Sequence, residues 1–151
     1  MKTKYLIPSI AILIIAIMGI SVILNPSYEK SLKAKYYYEV GEYKEAMALA
    51  KEAFAQDLYN RMASTIMTQS AISLKYVSYN DEAKKYMSII NEIAKQQTIS
   101  DADKAKIKMM CEIMTKSYVK LSPSVITDTD LVKTAAKYND GFEKLLEKVT
   151  K

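Results

Sequence analysis

The side chains that most often perform enzyme chemistry are scarce in this chain. Its 151 residues include no histidine and one cysteine, Cys111. Without histidine, neither a Ser-His-Asp triad nor a Cys-His pair can form, and histidine-ligated metal sites are excluded. Cys111 lies beside Met110 in a segment whose apolar stripe includes Met114, and no cationic residue is placed to lower its pKa. We therefore expect a structural core thiol and not a nucleophile.

Acidic residues occur in two closely spaced pairs, Asp101 with Asp103 and Asp128 with Asp130. A calcium-binding loop would also need a glycine and a distal glutamate, which neither pair has. Acids in the first turn of a helix are favoured by the helix dipole, so both pairs fit helix starts. The three glycines of the chain cannot build a phosphate-binding loop. No catalytic, cofactor or metal site is predicted; an enzyme with an unrecognised carboxylate pair is kept as an alternative.

An uncharged stretch, residues 5–24, precedes the rest of the chain. Residues 6–24 include 12 Leu, Ile or Val, and as a helix they would extend about 28 Å, close to the thickness of a bilayer core. The stretch predicts a transmembrane signal anchor, with residues 1–4 as a short N-terminal tail and 25–151 as the domain. A cleavable signal peptide is the alternative, although the apolar run is long for one and no Ala-x-Ala site follows it.

Lys2 and Lys4 directly precede the uncharged stretch, which favours a cytoplasmic N-terminus. The expected localisation is the bacterial inner membrane, single-pass, with the C-terminal domain in the periplasm; a domain facing the cytoplasm is the alternative. A lone cysteine fits the periplasm because there is no disulfide framework to build. The net charge of +5 is spread along the chain, so no nucleic-acid partner is expected.

The composition beyond residue 24 favours an all-α domain of long regular elements. The whole chain has three Gly and three Pro, and good helix formers dominate it. The apolar spacing predicts helices at about 27–40, 43–56 and 59–77, a turn at 78–81, and a fourth helix to about 95. Ser100 should cap a fifth helix. A sixth begins at 127–130 and should continue through Gly141, because its apolar stripe is unbroken there.

Residues 34–60 resemble one tetratricopeptide repeat. The matching positions are small or aromatic: Ala34, Tyr37, Gly41, Tyr43, Ala46, Ala50 and Ala53, with Asp57 opening the terminal turn. Small residues let two antiparallel helices approach closely, and Gly41 allows the sharp turn between them. A weaker second copy, at about 64–97, is indicated by residues 79–83, which echo 41–46. The implied fold is a transmembrane helix followed by a tetratricopeptide-like α-hairpin solenoid of about six helices.

The resemblance also implies a concave, protein-binding face lined by the first helix of each hairpin. Carried over position by position, this face contains Tyr28, Ser31, Lys35, Tyr38, Glu39, Thr68, Ile72, Lys75 and Tyr76. The chain has 12 Tyr but two Phe and no Trp. Successive helical residues point about 100° apart, so Tyr36, Tyr37 and Tyr38 cannot all be buried. Tyrosines outside the core are typical of protein interfaces, although packing against the next hairpin or against lipid headgroups is the simpler alternative.

Together these patterns predict a non-enzymatic, membrane-anchored scaffold that binds other proteins of a cell-envelope complex. By resemblance, comparable anchored repeat proteins are accessory subunits of translocons, secretion systems or motor complexes. A structural subunit that assembles with itself into a ring or filament is the alternative from another class. No cofactor is expected.

Overall fold

The computed structural model describes the backbone of residues 3–23 and 25–150, and the side chains of 7–17, 19–20 and 25–150. These residues form an all-α fold, as the composition predicts, with six helices in the described part of the chain. In chain order they are α1 Thr3–Ile23, α2 Pro26–Glu39, α3 Tyr43–Gln56, α4 Arg61–Ala94, α5 Asp101–Tyr118 and α6 Thr129–Thr150. The chain divides into two compact units, 1–70 and 71–151, with the boundary inside α4.

The predicted membrane anchor is wrong. Over the described residues, none of the six helices combines the length and apolar character that crossing a bilayer requires. The prediction rested on an uncharged span of about 28 Å. The transmembrane part of the predicted fold and the predicted single-pass inner-membrane localisation are therefore wrong as well.

The first unit is built on the α2–α3 hairpin, whose ends are specified locally. Asn25 caps α2 by accepting a hydrogen bond from the Ser27 N–H at 2.9 Å. At the other end, Gly41 has φ +87°, the left-handed region that glycine enters without strain. The N–H groups of Gly41 and Glu42 donate back to the carbonyls of Tyr38 and Tyr37. This is a Schellman closure, and it ends α2 where the sequence predicts.

The second unit packs the C-terminal part of α4 with α5 and α6. Ser100 caps α5 by accepting from the Asp103 N–H at 3.1 Å, and Asp128 accepts from the Asp130 N–H at 2.8 Å. Both aspartate pairs therefore lie at helix starts, as predicted. Helix α6 continues through Gly141, and the next residue, Phe142, is fully buried.

The turn predicted at 78–81 is wrong, because α4 runs unbroken from Arg61 to Ala94. Tyr79 is buried in the core of the second unit. The Nδ2 of Asn80 donates to the carbonyl oxygen of Leu131 at 3.1 Å. This packing outweighs the weak helix propensity of Ser, Asn and Asp, and the segment has no glycine or proline to end the helix. The turn on which the second repeat copy depended is therefore absent, and five helices follow α1 in place of six.

Candidate functional site

The predicted binding residues of the first unit lie on α2, apart from Thr68 on α4. Small side chains hold α2 tightly against α3. Ala34 of α2 and Ala46, Ala50 and Ala53 of α3 are all fully buried. Because their side chains end at Cβ, the two helices can approach closely, and larger residues are left at the sides or outside of the hairpin. This is the close packing that the alanine spacing predicts.

A buried polar network fixes the register of α2 against the turn before α4. Asn60, Ser27 and Ser31 are all fully buried. The Asn60 Nδ2 donates to the Ser27 Oγ at 2.8 Å and to the Ser31 Oγ at 3.2 Å. The Ser27 Oγ donates to the carbonyl oxygen of Ala53 at 2.8 Å, and the Asn60 Oδ1 accepts from the Ala63 N–H at 3.1 Å, capping α4. All of these groups are satisfied in the observed register of α2.

Two of the nine predicted contact residues are core residues. Ser31 belongs to the buried network just described. Tyr76 is 3% exposed and packs in the core of the second unit, and burial raises the pKa of its hydroxyl, with Tyr118 adding a smaller effect. A partner cannot reach either side chain without unfolding the unit that contains it. The sequence pattern did not predict that these two side chains are buried, because it does not show which other residues cover each hairpin.

The other predicted residues of the first unit lie at or near its surface. Lys35 and Glu39 are exposed and form an ion pair with 3.6 Å between Nζ and Oε1. Tyr28 is half-buried. Tyr38 is half-buried too, and its ring packs edge-on against Tyr43 with centroids 5.4 Å apart. Thr68 is exposed and donates to the carbonyl oxygen of Ser64. In the second unit, Ile72 is half-buried against the core and Lys75 is exposed.

Sequence reasoning missed an exposed apolar stripe that runs along α2 to its C-cap residue, Val40. Leu32, Tyr36 and Val40 recur every fourth residue and are 58%, 62% and 53% exposed. Residues four apart lie on one face of a helix, and this face also carries the predicted Tyr28, Lys35 and Glu39. The spacing was visible in the sequence. It becomes informative once Ala34 and the buried network define which side of α2 is covered.

The charges beside this stripe are neutralised within α2 itself. The Lys33 Nζ lies 2.7 Å from the Glu29 Oε1. This hydrogen bond, reinforced by the opposite charge, lowers the pKa of the Glu29 carboxyl and raises that of the Lys33 ammonium. Both side chains are solvated, so the pair adds little stability. Paired charges leave the apolar residues as the main feature that a partner would meet.

Helix α1 presents further apolar surface. All of its described side chains are exposed, and Ile7, Ile12 and Ile15 are 75%, 68% and 69% accessible. Exposed apolar patches of this kind mark surfaces that contact other macromolecules. Its apolar side chains occur all around the helix, so α1 alone does not indicate a direction of contact.

The side chains that could perform chemistry lie at structural or solvent-exposed positions. Cys111 is fully buried, as predicted, and burial raises the pKa of its thiol, which disfavours the reactive thiolate. Within the described residues, no group of three or more metal-ligating side chains converges. Three glutamates, Glu112, Glu143 and Glu147, line a groove of about 560 Å³ between α5 and α6. Glu143 and Glu147 are open to solvent, whereas a general acid is normally a carboxyl group in apolar surroundings.

Comparison with known proteins gives no relative from which a function could be transferred. No protein-family model, curated protein or solved structure matches this chain.

Proposed function

We propose that this chain is a non-enzymatic protein-interaction scaffold that binds a helical segment of another protein on the outer face of α2. The main support for this proposal is the Leu32–Tyr36–Val40 stripe. Its side chains are exposed although the opposite side of α2 is packed firmly into the first unit. An amphipathic partner helix with apolar residues at the same spacing would bury all three side chains together. The resemblance of residues 34–60 to a tetratricopeptide repeat supports this proposal, because such repeats bind protein segments.

Tyr36 is the expected centre of the contact. Its ring packs edge-on against Tyr37, with centroids 5.7 Å apart, so it is already restrained before a partner arrives. A large side chain held in place loses little conformational entropy on binding, and tyrosine is enriched among the residues that dominate interface energies. Truncating such a residue typically costs about 2 kcal/mol, which corresponds to roughly thirtyfold in affinity.

Site-specific photocrosslinking in the native host tests the proposal. A photoreactive phenylalanine analogue at Val40 should give one discrete heterologous adduct, identified by mass spectrometry. Leu32→Glu combined with Tyr36→Glu should abolish that adduct, because carboxylates would enter the apolar contact. The matched control is Met109→Glu on α5, a side chain that is 57% exposed, and it should leave the adduct unchanged.

The alternative outcomes are distinct. Adducts of the chain with itself alone would refute the scaffold and favour the self-assembling subunit, which light scattering would then show as a defined oligomer. An adduct that survives in the doubly substituted chain would mean that the stripe is not the binding surface. Absence of any adduct at Val40 would overturn the proposal.

A further inference from the structure

A second, chemically different groove lies in the second unit, between α4 and α6. Two cavities of about 720 and 450 Å³ share Met87, Asn91 and Tyr138 as lining residues, so they form one continuous groove. One wall is a line of Lys84, Ser88 and Asn91 on α4, continued by Lys95 directly after the helix end. The α6 wall carries Thr134, Lys137 and Tyr138. We call this the α4–α6 groove. It belongs to the second unit, whereas the α2 stripe belongs to the first.

The floor of the α4–α6 groove is apolar and defined by a close helix contact. A Cβ atom added at Gly141 would lie 2.8 Å from the Met87 Cε, so the missing side chain lets Met87 lie directly against the α6 backbone. Tyr138, three residues earlier on the same helix, is half-buried beside it. A thioether and an aromatic ring at the base of a polar groove form a seat for one apolar side chain.

The walls carry polar groups that have no partner among the residues the structure describes. Lys84, Ser88 and Asn91 on α4 are exposed, and none of their side chains makes a hydrogen bond or ion pair within the described residues. The same is true, over the ranges described, of Thr134 and Lys137 on α6. Lys30, Lys33 and Lys144, in contrast, are each paired with a carboxylate.

The charge of the groove is positive. Its one carboxylate, Glu92, is bound by Lys95 with 2.7 Å between Nζ and Oε1. Lys84 on one wall and Lys137 on the other are left with uncompensated charge. An occupant that carries carboxylates would pair with both lysines, while neutral amide and hydroxyl groups between them could bind its peptide backbone.

We propose that the α4–α6 groove binds an acidic peptide segment of a partner protein, with one apolar side chain on the Met87–Tyr138 floor and carboxylates on Lys84 and Lys137. This inference rests on the proposed protein-binding function but assigns a different surface and the chemistry of its ligand. A nucleic acid is disfavoured, because tracking a phosphate backbone needs a longer row of cations than the two walls provide. The chain's single arginine, Arg61, belongs to the other unit.

Selection from a phage-displayed library of random 12-residue peptides tests this directly on the full chain. Peptides enriched on the wild type should carry an excess of Asp and Glu around at least one large apolar residue. Their affinity, measured by fluorescence anisotropy with a labelled synthetic copy, should fall at least tenfold in the Lys84→Glu, Lys137→Glu variant. A control variant, Lys106→Glu with Lys148→Glu, has the same net charge change outside the groove and should stay within about twofold.

Several results would overturn the proposal. These are selection of neutral or basic peptides, no enrichment at all, or an equal loss of affinity in both charge-reversed variants. A labelled single-stranded oligonucleotide that binds as tightly as the selected peptide, with the same loss in the groove variant, would assign the groove to nucleic acid instead. Failure of the wild type to enrich acidic peptides, together with a discrete heterologous adduct at Val40, would refute this inference alone. Enrichment of acidic peptides without that adduct would refute only the α2 proposal. Far-ultraviolet circular dichroism checks that both variants remain folded, as expected for exposed lysines.

Discussion

Replacing Asn60 by alanine should be among the most destabilising single changes in the first unit. The amide makes three hydrogen bonds while fully buried: two donated to the hydroxyls of Ser27 and Ser31, and one accepted from the Ala63 N–H. Loss of a helix N-cap costs about 1 kcal/mol. Each of the other buried hydrogen bonds contributes about 1 kcal/mol. The free energy of unfolding should therefore fall by about 3 kcal/mol, a large share of the roughly 5–15 kcal/mol typical of a domain.

Urea unfolding followed by far-ultraviolet circular dichroism measures this change. With a urea dependence of about 2 kcal/mol per molar, the midpoint should fall by roughly 1.5 M. Asn91→Ala is the matched control. Its side chain is exposed and unpaired within the described chain, and alanine is the better helix former, so stability should rise by a few tenths of a kcal/mol.

A double-mutant cycle tests whether the network is the cause. Ser27→Ala also removes the Asn60–Ser27 hydrogen bond, so the combined variant should lose about 1 kcal/mol less than the sum of the single losses. A destabilisation below about 1 kcal/mol for Asn60→Ala would refute the reasoning. So would strictly additive effects, since the two side chains would then not stabilise the unit through each other.

Three further predictions concern the second unit. Gly141→Ala gains about 1 kcal/mol of helix propensity but displaces the Met87 methyl group, so alone it should change the free energy of unfolding by less than about 1 kcal/mol. In a Met87→Ala background nothing opposes the new methyl group, and urea unfolding should show the full gain. Tyr79→Phe should stabilise by about 1 kcal/mol because the buried hydroxyl has no hydrogen-bond partner among the described residues. Burial raises the pKa of Tyr79, with smaller effects from Tyr118 and Glu143, so folding favours the neutral hydroxyl. The free energy of unfolding of the wild type should therefore fall as pH rises above about 10. The Tyr79→Phe variant should show less of that fall. Cys111 should react with a thiol reagent only as fast as the unit opens, so a rate equal to that of a free thiol in the absence of urea would contradict its burial.

The sequence alone determined those features that depend on neighbouring residues. The all-α class followed from helix propensity and the scarcity of glycine and proline. Gly41 ended α2, Ser100 started α5, and the unbroken stripe carried α6 through Gly141. Each of these depends on hydrogen bonds or side-chain spacing within a few residues of the position concerned, which is why a sequence pattern predicts them.

Tertiary packing decided the rest. Ser78–Asp81 reads as a turn, but burial of Tyr79 and the Asn80–Leu131 hydrogen bond keep α4 continuous. The length and lack of charge of residues 5–24 predicted a membrane span, which the described helices do not provide.

The binding surfaces show the same division between local pattern and packing. The spacing of Leu32 and Tyr36 is visible in the sequence. Only the alanine contacts of α2 and the Asn60 network show that this side of the helix remains exposed. Met87 and Gly141 are 54 positions apart in the sequence, and only folding makes them the floor of one groove. Local chemistry sets where a helix begins and ends, whereas contacts between residues distant in sequence decide which of its faces is left for a partner.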